Sequence, residues 1–288
     1  MNPVPKLHHS QAIIEEQFIQ SKTGRLEDSE DSLCINGNFV AVIDGATSHT
    51  SRRWNSKTGG QVATELINRA FDQIPFDYTA RQAASLITSM INDFYAGFNQ
   101  VETVRRDPAQ RISASCAALS HYRQEVWLIG DCQFLLGNEL VTNKRIVDQI
   151  LSEVRALFLE MEILNGMTIE QLQHDERGRK FISSLLKRHS LFQNNPASGS
   201  YWYSAVDGFS IPDAGIITRA IPDRVDTVVL ASDGYPVLKD TLKESESILQ
   251  DILCKDPLMF REHKSTKGKV KGQVSFDDRA FIKVTIKR

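Results

Sequence analysis

Apolar residues in this chain follow two rhythms, short unbroken runs and longer stripes at helical spacing. Phe39, Val40, Ala41, Val42 and Ile43 make a β-branched run closed by a glycine, which reads as a buried strand. Similar runs fall at 113–119, 125–136, 216–221 and 227–231, and an alternating strand at 281–286 closes the chain. Gly137-Asn138 reads as a turn. Helical spacing appears at 61–76 (Val62, Leu66, Ala70) and at 79–99 (Ala83, Ile87, Ile91, Phe94, Phe98). Residues 145–191 are helical and strongly charged, with Ile150, Val154, Leu157, Phe158, Met161 and Leu164 as one apolar stripe expected to pack inward. A last helix falls within 237–254. The segment up to Thr23 is mixed, and residues 194–213 are loop-rich. Strands and helices come in blocks without regular βαβ alternation, so the pattern predicts an α+β layered protein.

Composition changes this picture little. A 288-residue chain with 41% hydrophobic residues can bury a sizeable core, and no Pro, Gly or Ser-rich linker divides it, so one domain is expected over 1–288. The net charge of −2 gives no reason to expect nucleic acid or an anionic membrane as partner. Cys34, Cys116, Cys132 and Cys254 stand singly, and neither a signal peptide nor an apolar stretch near 18 residues is present. A cytoplasmic protein with reduced thiols is the expectation.

The candidate chemistry sits where the runs end. Asp44 leaves the first run, Asp131 follows Val126 to Gly130, Asp233 follows Val228 to Ala231, and Asp277-Asp278 precede the final strand. A single strand-end Asp-Gly is a turn by base rate, but four such carboxylates point to a shared purpose, that of ligands. Hard divalent cations such as Mg²⁺ and Mn²⁺ take oxygen donors on rigid strand ends, whereas zinc's Cys/His clusters are missing. The chain also lacks a Gly-x-Ser-x-Gly elbow, a Cys-x5-Arg loop at Cys116 or Cys132, and a Gly-x4-Gly-Lys-Ser/Thr loop.

In order, "EDSLCINGNFVAVIDG", "ISASCAALSHYRQEVWLIGDCQFLL", "TVVLASDGYPVL" and "DDRAFIKV" resemble the successive signatures of the type 2C (PPM) metal-dependent Ser/Thr protein phosphatases, in the manner of a divergent bacterial member. The match runs from Glu30 to the C-terminus and is weak over 144–201, which reads as a helical lid or insert. The resemblance implies a four-layer αββα sandwich of two antiparallel sheets flanked by helices. It implies two Mg²⁺ or Mn²⁺ ions, with a third, weaker one in some members, and a phosphorylated protein as substrate. Asp44 would bridge the two metals with the Gly45 carbonyl as a further ligand, Asp233 and Asp277 would hold the more buried ion, Glu30 and Asp31 would act through water, and Asp131 would help hold a third. A hydroxide shared by two ions roughly 3.5–4 Å apart would then attack phosphorus in line, with no covalent intermediate.

Three positions depart from the family. Ala46 stands where many members have a histidine suited to protonating the leaving group, so a water is expected to do so; His49 lies three residues further on. Arg25, five residues before Glu30 where four is usual, is the candidate phosphate-holding arginine. Asp277 and Asp278 are adjacent and face opposite ways, and register selects Asp277 for the metal. Lys264, Lys267, Lys269 and Lys271 form a basic loop, either solvated or a docking patch. Two other functions stay open: a non-catalytic relative that binds or senses a partner, and a phosphatase of small metabolites.

Overall fold

The computed structural model describes residues 11–47, 50 and 52–287. In chain order its strands are β1 (Gln11–Gln20), β2 (Ser32–Ile35), β3 (Phe39–Gly45), β4 (Ala114–Ser120), β5 (Glu125–Ile129), β6 (Gln133–Leu136), β7 (Glu139–Thr142), β8 (Ile217–Ala220), β9 (Thr227–Ala231) and β10 (Arg279–Lys287). Its helices are α1 (Gly59–Phe71), α2 (Ala80–Gly97), α3 (Val101–Arg106), α4 (Ile146–Leu164), α5 (Ile169–Asp175), α6 (Arg177–Arg188) and α7 (Leu242–Lys255). Two five-stranded antiparallel sheets result, ordered β1-β10-β9-β6-β7 and β2-β3-β4-β5-β8.

Strand parity explains the layers. On β3, Val40 and Val42 enter a core between the sheets with Ala117, Leu119, Val126, Leu128, Phe134, Val228, Leu230, Ile282 and Val284. The alternate residues Phe39, Ala41 and Ile43 pack outward under α1 and α2, with Val62, Ile67, Ile87 and Ile91. On the other sheet, Leu135, Val229 and Phe281 pack beneath α7 with Leu249 and Leu253. Strands covered on both faces need apolar residues at every position, which is why they read as unbroken runs. The α+β four-layer sandwich is therefore present. Capping boxes start α1 and α2: the Thr58 and Thr79 hydroxyls accept the amides of Gln61 and Gln82, whose side chains reach back.

Three local expectations are corrected. The mixed N-terminal segment contains an edge strand, β1, paired along β10; a bulge between Ile14 and Glu16 breaks its period-2 pattern and hides it. The run at 125–136 is two strands in different sheets, since β5 pairs with β4 and β6 with β9. Gly130, at φ +83°, makes the crossing, and a Cβ there would lie 2.2 Å from Ser115 Oγ. On α4 the expected inward stripe is turned outward: Leu157 is 64% and Leu164 86% exposed, while Val147, Leu151, Arg155 and Leu159 are buried. The inward face includes a fully buried arginine, which a count of apolar positions passes over. Arg155 donates to the Leu258, Met259 and Ser265 carbonyls at 2.8, 3.3 and 3.1 Å, tying α4 to the loop that follows α7.

No described helix is long and apolar enough to cross a membrane. Because Leu128 is fully buried between the sheets, Leu128→Ala should lower the unfolding free energy by about 3 kcal/mol in denaturant titration.

Candidate functional site

Antiparallel pairing brings the strand-end carboxylates to one rim of the sandwich. β3, β5 and β9 end there, and β2, β4, β6 and β10 begin there; Asp44 lies opposite Ser115, and Ala231 opposite Gln133. Parity points Asp44 to the same side as Val40 and Val42, into the mouth of the gap between the sheets. Asp44-Gly45 is not a turn, because both residues still pair with β4. Gly45 is required by close approach: its amide donates to the Glu30 carbonyl at 3.1 Å, and a Cβ would stand 2.3 Å from that oxygen and 2.8 Å from the Gly60 backbone.

Each neighbouring carboxylate is placed by its own contacts. Asp233 follows β9 in a turn whose backbone is held by Gln133, which donates to the Ser232 and Tyr235 carbonyls at 3.0 and 2.7 Å. Asp131 accepts the Ser115 hydroxyl and, at 2.6 Å, the Arg145 guanidinium, which also packs over the Tyr203 ring at 4.6 Å. Asp278 gives both oxygens to backbone amides, Lys22 at 2.8 Å and Glu30 at 3.0 Å, and so fixes the loop between β1 and β2. Glu30 accepts the hydroxyl of the α1 cap Thr58 at 2.6 Å. Asp277 accepts the Asp278 amide at 2.9 Å and is in contact with the Lys267 ammonium. Lys22 Nζ lies 3.6 Å from Asp278, 3.8 Å from Asp277 and 4.0 Å from Glu30.

These groups strain one another. Burial, then repulsion from Asp277 and Asp278, pushes Asp31 well above the usual carboxylate range. Burial and the Asp31 charge do the same to Asp44, and desolvation on the cleft floor with the Asp44 charge does it to Asp233. Burial also works against Asp277, but Lys267 and Lys22 more than offset it and hold that carboxyl below its usual range.

Among the described residues no three His, Cys, Asp or Glu side chains stand in a ready-made metal-holding arrangement. The donor chemistry nonetheless fits a hard cation at Asp31, Asp44 and Asp233. All are oxygen donors pushed toward protonation by desolvation first and mutual repulsion second, and Asp31 Oδ2 is buried without a hydrogen-bond partner. Asp277 differs, since Lys267 already serves it.

Arg25 is not brought to this site. It is exposed and bonded to Asp28 at 2.6 and 2.8 Å across a short turn, because the helical turn at Leu26–Asp28 pairs them locally. His49 lies outside the described residues. Three of the four lysines of the basic loop are engaged within the chain: Lys264 pairs with Glu153 at 2.6 Å and Lys271 with Glu170 at 2.8 Å, while Lys267 turns inward to Asp277. Lys22, Lys267 and Arg145 are site residues that no motif marks.

Of the rim carboxylates, Asp44, Asp131 and Asp233 line a cleft of about 670 Å³. Its opposite wall comes from the 144–203 segment and the loop after α7, including Lys144, Arg145, Arg179, His189, Tyr203, Arg261 and Lys267. His189 Nδ1 meets the Tyr203 hydroxyl at 2.9 Å, and burial lowers its pKa to about 4, so it is neutral at pH 7.

No family model and no curated protein matches the chain. Among solved structures, the catalytic domain of the serine/threonine protein phosphatase PstP, in complex with two manganese ions, is 15% identical, with 97% of this chain and 100% of that one covered at a TM-score of 0.50. The Staphylococcus aureus serine/threonine phosphatase Stp1 is 14% identical, covering 99% and 100% at a TM-score of 0.47. Pseudomonas aeruginosa PppA, a key regulatory component of T6SS, is 14% identical, covering 96% and 98% at a TM-score of 0.42. The chain has the PstP catalytic-domain fold from end to end, and the likeness read from four motifs extends to the architecture.

Two outcomes follow from the geometry. Gly45→Ala should destabilise the protein by about 3 kcal/mol or more in denaturant titration, because the strand ends cannot separate to admit a methyl group. Carboxyls whose folded pKa is raised stabilise the fold below their unfolded pKa near 4, and that stability is lost as pH rises through the folded value. Mn²⁺ or Mg²⁺ should therefore raise the melting temperature of metal-stripped protein, more at pH 7.5 than at pH 5. An equal rise at both values would mean that ions bind elsewhere.

Proposed function

We propose that this chain is a divalent-metal-dependent phosphatase that hydrolyses phosphoserine and phosphothreonine in proteins. The observation that carries this reading is the placement of Asp44, Asp131 and Asp233 in the lining of a wide cleft, with Asp31 buried nearby and one of its oxygens left without a partner. The fold shared with the PstP catalytic domain supports it.

In this reading Asp44, Asp233 and Asp31 hold Mg²⁺ or Mn²⁺, two ions and in some states a third, with the Gly45 carbonyl and Glu30 beside them and Asp277 joining once Lys267 yields its oxygen. Held there, such ions would supply an activated water and neutralise the charge of the phosphate. The chain's own part is positional. β3 and β9 fix the two aspartates, the Thr58 hydroxyl fixes Glu30, and Asp278 holds the loop that carries it. Asp131 keeps its structural role, holding Arg145 and through it the start of α4. Ala46 offers no proton to the leaving alkoxide, and His189, whose pKa burial lowers to about 4, is neutral at pH 7. Water is the proton source, and direct attack by water on phosphorus leaves no covalent intermediate.

One observation favours a second reading, a non-catalytic protein that binds or senses a partner. Lys22 and Lys267 already neutralise the Asp277 side of the cluster with the chain's own charges.

Hydrolysis of an aryl phosphate by metal-stripped protein separates the two. Turnover should appear on adding Mn²⁺ or Mg²⁺, and Asp44→Asn or Asp233→Asn should lower kcat/KM by about 1000-fold, a loss in the range of removing a principal electrostatic group. Absence of turnover with either metal in folded protein would favour the binding reading. A phosphorylated enzyme residue trapped during turnover would defeat the direct-water mechanism.

A further inference from the structure

The cleft wall facing the carboxylate floor is cationic, and part of that charge has no counterpart in the chain. Arg111 is paired with Asp207 at 2.9 Å, Arg145 with Asp131 at 2.6 Å, Lys264 with Glu153 at 2.6 Å, and Lys267 with Asp277. Asp148 and Glu262 are also in the lining; Asp148 lies 3.7 Å from Arg145, and Glu262 lies 3.9 Å from His263 Nε2. Lys144, Arg179 and Arg261 line the same cleft, and none has a carboxylate within ion-pair distance among the described residues. Arg179 donates only to the Thr266 carbonyl at 3.3 Å, and Arg261 lies over the Phe260 ring at 5.0 Å.

The three cations stand on fixed backbones. Lys144 precedes Arg145, which is anchored on Asp131 and Tyr203. Arg179 belongs to α6. Arg261 is set by Asp256, whose Oδ2 accepts the amides of Phe260 and Arg261 at 2.9 and 2.8 Å, and by the Arg155 clamp on Leu258 and Met259. Lys144 and Arg261 are exposed and Arg179 is half-buried; like charges lining one cleft repel one another, and an anion relieves the repulsion with charge-assisted hydrogen bonds. The transferred phosphate belongs at the carboxylate floor, so these cations answer a different negative group of the same ligand.

We propose that Lys144, Arg179 and Arg261 form an anion subsite for residues flanking the target phosphoserine or phosphothreonine, making this protein selective for phosphopeptides that carry a further negative charge, either a second phosphate or Asp/Glu side chains. The proposal rests on the phosphoprotein reading of the cleft. It also gives a role to the segment where the family resemblance is weakest: supplying substrate choice.

Three phosphopeptides that differ only in the flanking residues, two Gln, two Glu or one further phosphoserine, test this with the Mn²⁺-loaded protein. We expect kcat/KM for the Glu or diphosphorylated peptide to exceed that for the Gln peptide on the order of tenfold, an advantage that shrinks with added salt. In the combined variant Lys144→Gln, Arg179→Gln, Arg261→Gln the ratio should fall to near one. Because the ratio is taken within one protein preparation, a partly folded variant does not distort it. Preference for the diphosphorylated peptide alone identifies phosphate as the ligand, and preference for both identifies anionic charge in general. Equal values for all three peptides in the unaltered protein, or a ratio that survives in the variant, would overturn the proposal. If no peptide is hydrolysed, the hydrolytic reading fails, and the same ratio is measured as Kd by fluorescence anisotropy of labelled peptides. A tenfold Kd advantage lost in the variant still supports the subsite, and equal Kd values reject it.

Discussion

Like charges repel, and this molecule gathers seven carboxylates, four of them buried, at one end of a sandwich otherwise filled with aliphatic side chains. Glu30, Asp31, Asp44, Asp131, Asp233, Asp277 and Asp278 meet there because β2, β3, β5, β9 and β10 all begin or end at that rim. Leaving them uncompensated would cost more than the surrounding packing returns. The chain answers with cations from three separate places: Lys22 from the loop after β1, Arg145 from the start of α4, and Lys267 from the loop before β10. Much of the structure outside the sheets is organised around this compensation.

The compensation is uneven, and the unevenness divides labour among the carboxylates. Asp131 and Asp278 are saturated by Ser115 and Arg145 and by two backbone amides, and they act as fasteners. Asp31, Asp44 and Asp233 receive no side-chain cation at ion-pair distance among the described residues, and their pKa values rise accordingly. A fastener lost would loosen a loop. A member of the second group lost would relieve repulsion in the metal-free protein, which is how a binding site differs from a structural one in its effect on stability.

The sheets were legible because residues buried on both faces must be apolar without interruption, and the candidate ligands stood out because the runs that become β3, β5 and β9 stop on carboxylates. Other features were hidden for specific reasons. β1 carries a bulge that shifts its pleat in mid-strand. The run at 125–136 shows no polar break, yet Gly130 turns it from one sheet into the other, since a positive-φ glycine changes direction without changing hydropathy. The inward face of α4 includes Arg155, so apolar counting found the outer face instead. Arg25 was chosen by motif register, but a three-residue helical turn satisfies it with Asp28 before it can reach the rim. Lys22 and Lys267 have no local signature, because a lysine is recruited by the tertiary position of its partner.

Arg155 links these observations into one mechanical unit. Its guanidinium binds the Leu258, Met259 and Ser265 carbonyls, and a Cβ on Gly268 would lie 2.6 Å from its Nη2, so the loop bearing Lys267 is moulded around it. Burial lowers the Arg155 pKa to about 10, still far above neutrality, so the clamp stays charged. The same helix thus places Arg145 on Asp131 through its cap and Lys267 on Asp277 through this clamp. The cation that neutralises the floor of the cleft and the residues that form its wall are held by one set of hydrogen bonds, and the electrostatics of the rim and the shape of the cleft are a single constraint.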